Sequence, residues 1–351
     1  MPGHGAPATG QPPNAPSGWG AVSFQPGIVP LRALGLGDIY TGVFKAVRGN
    51  AGATMGLSFV VNVAVMVPFV ALAAFLVSRS TVSEDRLTDA GQSTTALTSV
   101  DVINQIPTLG SLVVTALLAV FLARVILVAV TGRKTTIAEV WAATSDRILP
   151  AIGATVLAFV GMLVLAAICF GPGVAIFVTT DSIGGGVLAV LAGGLAFLLL
   201  YLWLSTRFAF VTSAISIERV GVLRGFARSW ALTTGRGMWR ILGIRLLTAV
   251  IISTIVSLIT VPLALVALAI FAVSTGDGSS FAIGLVVVSG VAAIVAGALT
   301  APFTSGVDAL LYIDERFRRE AFDVTIIDAT RRGTDLTAEG VDLGPPRHAV
   351  R

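Results

Sequence analysis

Six long apolar stretches decide the solvent in which this chain folds: Ala51–Val77, Leu109–Val130, Ala151–Val178, Gly185–Ala214, Leu246–Val273 and Phe281–Thr304. A hydrocarbon core of ~30 Å takes a helix of about 20 apolar residues. Every stretch meets that length, so the sequence predicts an all-α, polytopic membrane protein with six transmembrane helices. The expected organisation is a Pro/Gly-rich cytoplasmic tail over 1–33, a membrane domain over 34–320 and a second disordered tail over 321–351.

The composition agrees. The chain is 55% hydrophobic and 12% charged, with a mean hydropathy of +0.91. A soluble domain carries about 25% charged residues. Once six crossings are subtracted, no length is left for a catalytic domain of ordinary size. The net charge is +4, but the basic residues flank apolar spans. Anionic membrane lipid is therefore the expected partner, with a cytoplasmic or membrane protein as a further one and nucleic acid excluded. His4 and His348 are the only histidines and lie in the tails, which takes histidine acid–base chemistry and histidine metal sites out of the membrane body. No metal, cofactor or catalytic residue is expected. Cys169, the single cysteine, reads as a small buried hydrophobe.

Charge asymmetry gives an orientation. If the N-terminus is cytoplasmic, the outer connections are Ser78–Thr108, Thr179–Gly184 and Ser274–Ser280. Their only basic residues are Arg79 and Arg86, and they hold Glu84, Asp85, Asp89, Asp101, Asp181 and Asp277. The other Lys and Arg fall on inner loops, inner helix ends or tails, so the positive-inside rule predicts cytoplasmic termini. Tyr40, Trp141, Trp230, Trp239 and Tyr312 cluster toward the same face, where amphipathic rings favour the headgroup level. Gly184–Gly186 reads as a tight outer turn.

The spans also read as three repeats of an interfacial amphipathic helix followed by a transmembrane hairpin. The starters are Gly37–Asn50, Thr136–Arg147 and Val220–Thr233. In the first, Ile39, Val43, Phe44 and Val47 share a face. In the second, Thr136 and Glu139 have capping-box spacing, and Ile137, Val140 and Trp141 form the apolar side. In the third, Leu223, Phe226 and Trp230 line one side, and Arg224 and Arg228 the other. Such helices lie in the membrane interface. Each outgoing span carries a proline, Pro68, Pro172 or Pro262, that suits a kink or hinge. A closing helix, Asp308–Ala321, has Asp314–Arg318 and Glu315–Arg319 at the favourable i,i+4 spacing, with Leu310, Ile313 and Phe317 on its other side.

Arginines inside or at the ends of apolar runs need an explanation, because a buried charge is costly. Arg124, Arg207 and Arg245 are of this kind. Two readings stand: snorkelling to the headgroups, or, with Arg224 and Arg228, a site for an anionic lipid headgroup or phosphate. Glu218 is a structural partner for Arg207 or Arg224. No acidic residue reads as deep in a span, which argues against a proton relay. Asn62 and the Ser253, Ser257 and Thr260 stripe are the polar groups a transport path would use, or simply interhelical hydrogen bonds. Ala189–Gly193 and Ala293–Gly297 are small-xxx-small pairs suited to close packing within the chain.

Three segments resemble a known family. LGLGDIYTGVFKAVRGN (Leu34–Asn50), the longer run Leu204–Leu246 and LLYIDERFRRE (Leu310–Glu320) are similar to bacterial glycerophosphoryl diester phosphodiesterase membrane-domain proteins. Arg207, Glu218, Arg228, Ser229 and Trp230 occupy the places of the family's central motif. The resemblance implies a bacterial plasma membrane location. It does not imply the phosphodiesterase activity, which belongs to a barrel domain whose histidines and length this chain lacks. The expected function is a non-enzymatic accessory or scaffold in envelope or lipid metabolism, with a basic cytoplasmic face. The alternative is a transporter or lipid translocator, and a membrane enzyme acting on glycerophosphodiesters comes last.

Overall fold

The computed structural model describes residues 25–79, 103, 105–179, 183–235, 237–274 and 278–332. The elements are α1 (Leu36–Gly49), a π-helical turn (Gly52–Gly56), α2 (Leu57–Arg79), α3 (Ile106–Val130), α4 (Ile137–Thr144), a 3-10 turn (Ser145–Arg147), α5 (Ile148–Thr179), α6 (Ile183–Arg207), α7 (Val211–Ile217), α8 (Val222–Leu232), α9 (Gly237–Ser274), α10 (Gly278–Glu320) and α11 (Phe322–Arg332). Six stretches are long and apolar enough to cross a membrane: Gly52–Arg79, Ile106–Val130, Ile137–Thr179, Gly184–Ile217, Gly237–Val266 and Val286–Glu320. The chain is a multi-pass, all-α membrane protein. Its helices run on through Pro68, Pro172 and Pro262, and through Pro302 in α10.

The packing is uneven. Helix α3 is the centre: every residue from Val120 to Val130 is buried, as suits a helix that is apolar all round. Helices α2, α5, α7 and α10 surround it. By contrast α5, α6 and α9 turn most of their surface outward, with Ile168, Leu188, Leu191, Leu258 and Leu265 exposed. In a bilayer these side chains meet acyl chains.

Small residues set two close helix–helix contacts. On α10, a Cβ at Gly290 would lie 2.5 Å from Val70, and one at Gly297 would lie 2.6 Å from Asn62 Oδ1. A Cβ on Gly193 of α6 would lie 2.1 Å from the backbone oxygen of Cys169 on α5. Both small-xxx-small pairs therefore belong to helices that pack within the chain. Cys169 is only half-buried, because α5 shows much of its surface to the outside. Gly184–Gly186 does not form a turn. It is the first turn of α6, where a Cβ on Gly186 would lie 2.8 Å from the Phe177 ring.

The amphipathic helices pack differently from the prediction. Helix α1 buries Ile39, Val43, Ala46 and Val47 in the protein, where a Cβ on Gly42 would lie 3.0 Å from Leu310 of α10, and it leaves Phe44 57% exposed. In α4 the capping box forms, with the Glu139 N–H on Thr136 Oγ1 at 3.3 Å and the Thr136 N–H on Glu139 Oε2 at 3.2 Å. Val140 is buried, while Ile137 and Trp141 face out. In α8 the buried positions are Gly225, Ser229 and Leu232, and Leu223 and Trp230 are exposed.

The folded body also exceeds 34–320. A strap before α1 buries Val29, Leu31 and Leu34, and the Ile28 N–H bonds the Ala129 oxygen at 3.2 Å. Gly132, with φ +82°, makes room for it: a Cβ there would lie 2.2 Å from Pro26 O. After residue 320, α11 buries Phe322 and Ile326. The rest of both tails, and the acid-rich connection over 80–102, lie outside the described residues.

Gly193→Leu is expected to drive α5 and α6 apart and lower the thermal unfolding midpoint in detergent, at a cost of about 1–3 kcal/mol or more. Gly161→Leu, with open space around it, is expected to leave the midpoint unchanged.

Candidate functional site

Helix α10 is 43 residues long, or about 65 Å at 1.5 Å per residue. That is about twice the hydrocarbon thickness, so the helix does not stop near Thr304 but carries the predicted closing segment as its own extension. The charges on that extension are not solvated. Asp314 and Arg316 are 0% and 1% exposed, and Glu315 is buried beside them.

Each charge has partners. Asp314 accepts the Leu34 N–H at 2.7 Å and bonds of 3.1 Å from Arg318 Nε, and it pairs with Arg240 of α9. Arg240 and Arg318 both donate to the Leu34 carbonyl, at 2.7 and 2.9 Å. The strap is thus held by one carboxylate and two guanidiniums. Glu315 pairs with Arg319 at 3.1 Å, so both predicted i,i+4 pairs form. Arg316 bonds Glu320 at 3.0 Å and stacks over the Phe322 ring at 4.0 Å.

Glu218 joins this cluster. Arg228 Nε donates to both of its oxygens at 2.9 Å, and the Tyr312 hydroxyl donates to Oε1. Arg228 also pairs with Glu320. Burial works against the charge of Arg228, but the Glu218 and Glu320 carboxylates outweigh it and raise its pKa. Glu218 therefore pairs with neither Arg207 nor Arg224. Tyr312 is buried and is not a headgroup anchor.

The neighbouring residues repair a break in the fourth span. The chain leaves helical geometry between Arg207 and Val211, which frees backbone groups inside the protein. Ser229 Oγ accepts the Phe210 N–H at 3.1 Å and donates to the Arg207 carbonyl at 2.7 Å. The Arg207 guanidinium sits over the rings of Trp230 (4.7 Å) and Trp203 (5.4 Å) and donates to the Thr233 carbonyl at 3.1 Å. Arg228, Ser229 and Trp230 thus close an ion-pair network, bridge a helix break and clamp a guanidinium.

A second feature is a half-open cleft of about 270 Å³ between α3, α5, α7, α9 and α10. Arg245 and Asp308 pair on its wall at 3.1 Å, and Arg245 also donates to the Ser205 carbonyl at 2.6 Å. Thr155, Thr212 and Ser305 line it and their hydroxyls make no hydrogen bond among the described residues, so they are available to an occupant. Asp308 lies on the same helix as the sixth apolar stretch, four residues beyond Thr304.

The other nominated residues fall apart from one another. Asn62 is buried between α2 and α10 and donates to the Ser58 carbonyl at 2.8 Å. Ser253 and Ser257 are on the exposed face of α9, and Ser253 and Thr260 bond carbonyls of their own helix. The four do not line one path, because α9 turns that stripe outward. Arg224 is exposed and has no hydrogen bond or ion pair among the described residues. Arg124 is buried in α3, beside a second cavity.

Sequence reasoning missed the roles of Arg240, Asp308, Tyr312, Arg316 and Glu320. One signal was present: Leu310, Tyr312, Ile313 and Phe317 interleave with the charges on more than one face of α10. Among the described residues no group of three His, Cys, Asp or Glu could hold a metal. In comparisons with known proteins, no family model, curated protein or solved structure matches the chain.

Arg228→Ala would leave Glu218 and Glu320 short of a partner and is expected to destabilise by about 2 kcal/mol or more, lowering the unfolding midpoint in detergent. Arg224→Ala is expected to stay within about 0.5 kcal/mol. In the same assay Ser229→Ala, which orphans a buried N–H and a carbonyl, is expected to cost about 1–3 kcal/mol.

Proposed function

We propose that this chain is a non-enzymatic accessory of lipid or envelope metabolism in a bacterial plasma membrane, and that it holds the polar head of a membrane amphiphile in the cleft beside Arg245 and Asp308. One observation carries this reading: a half-open, largely apolar cavity with a few polar groups on its wall, bordered by helices whose outward faces are apolar and exposed. At about 270 Å³ the cavity suits a head group and not a whole lipid. The chains of the amphiphile would lie along the exposed residues of α5, α6 and α9. The unpaired hydroxyls of Thr155, Thr212 and Ser305 supply orientation without charge. The positive-inside asymmetry supports cytoplasmic termini. The order of short helix then hairpin, three times over, supports descent from a repeated unit. The three segments quoted above support kinship with the glycerophosphoryl diester phosphodiesterase membrane-domain family.

The test is native mass spectrometry of protein extracted with its own lipids. Wild type is expected to retain an amphiphile that Ser305→Phe, which fills the cleft, no longer holds. Identical adducts in both would overturn the reading. Rapid transbilayer movement of a fluorescent lipid in proteoliposomes would instead favour a translocator.

A further inference from the structure

The cleft between α3, α5, α7, α9 and α10 has a charge pattern of its own. Among the described residues that line it, one is a cation and one an anion, Arg245 and Asp308, and they lie side by side at 3.1 Å. Their side chains keep 29% and 31% of their surface exposed. The wall therefore carries a balanced pair of opposite charges that an occupant can touch.

The pair does not use up the bonding capacity of either group. A guanidinium has five N–H donors, and those of Arg245 serve Asp308 and the Ser205 carbonyl. A carboxylate offers about four lone-pair sites, and Arg245 is the one partner of Asp308 among the described residues. Ser305 stands three residues before Asp308, on the same side of α10, and lines the cleft with it. The Thr155 and Thr212 hydroxyls line it from α5 and α7.

Such a wall discriminates by charge. In a partly desolvated space opposite charges attract, and like charges repel, more strongly than in water. An anionic head group gains from Arg245 and loses to Asp308. A head group with both charges gains from each when it lies antiparallel to the pair. The kind of cation matters as well. A primary ammonium carries three N–H donors for Asp308 and the hydroxyls. A quaternary ammonium carries none and is held by aromatic cages. The two rings in the lining, Phe208 and Phe226, pack edge-to-face with centroids 4.9 Å apart, too close to hold a cation between them.

Given the cleft as the seat of an amphiphile's head, on which this rests, we infer that it selects a head group joining a phosphate to a primary ammonium, as phosphoethanolamine does. The phosphate lies on Arg245, whose planar donors match its oxygens, and the ammonium lies on Asp308.

The test follows thermal unfolding of the full chain in neutral detergent against dioctanoyl phosphatidylethanolamine, dioctanoyl phosphatidylglycerol and dioctanoyl phosphatidylcholine. Phosphatidylethanolamine is expected to raise the midpoint at about tenfold lower concentration than either of the others. The double variant Arg245→Gln with Asp308→Asn removes both charges with little change of shape, so it is expected to fold and to lose that preference. Equal responses to the three lipids in wild type, or a preference that survives in the double variant, would overturn selection by the pair. If the double variant does not fold, the ranking of the three lipids by wild type, with and without Ser305→Phe, carries the test. Ser305→Phe also separates the two levels. If it abolishes the lipid responses and wild type shows no preference, the cleft holds amphiphiles without selecting them. If it leaves the phosphatidylethanolamine response intact, the head group binds elsewhere and both readings fall. Soluble phosphoethanolamine that reproduces the shift would keep the selection and remove the amphiphile; without effect, it identifies the lipid as the ligand.

Discussion

The end of the bundle is held by charges that have left water. Asp314, Glu315 and Arg316 sit on successive positions of α10, so they point to different sides of the helix and reach different neighbours. Through Asp314 the helix holds the strap and α9; through Arg316 and Glu320 it holds α11 and, by way of Arg228, α8 and Glu218. A buried ion pair adds little stability over a well-packed apolar contact, but breaking one is strongly destabilising. The cluster therefore penalises any arrangement that leaves one of its charges unpaired. Elements joined by short loops have few acceptable arrangements when every carboxylate must meet its guanidinium.

The remaining architecture divides between enclosed and lipid-facing helices. Helix α3 is wrapped by α2, α5, α7 and α10, and its C-terminal half has no free face. Helices α5, α6 and α9 are nearly unburied over their membrane windows. Glycine brings α5 and α6 together on one side, and α2 and α10 together on another. The cleft lies between α3, α5, α7, α9 and α10, and Arg245 with Asp308 marks its wall.

Sequence patterns revealed the spans because hydrocarbon leaves the backbone no alternative to helix. The capping box of α4 and the i,i+4 pairs of α10 were legible for a similar reason: both depend on local spacing. The burial of the amphipathic helices was not. Ile39, Val43 and Val47 make one stripe whether lipid or protein covers them, and the sequence does not name the cover. The partner of Glu218 was hidden too, since Arg228 is ten residues away and Tyr312 comes from another helix. The charges from Asp314 to Glu320 look like a solvated helix face when read alone. Only the strap and α9, brought in from far along the chain, turn them into an interior.

Leu34 and Asp314 are 280 residues apart, yet they share a hydrogen bond. The strap leaves the ribosome before the first span, and its carboxylate arrives only after the sixth. During synthesis Val29 and Leu34 must wait uncovered, or rest on α3, while the later crossing helices are made. The fastening between the two ends of the chain thus cannot form until the sixth crossing helix has been made.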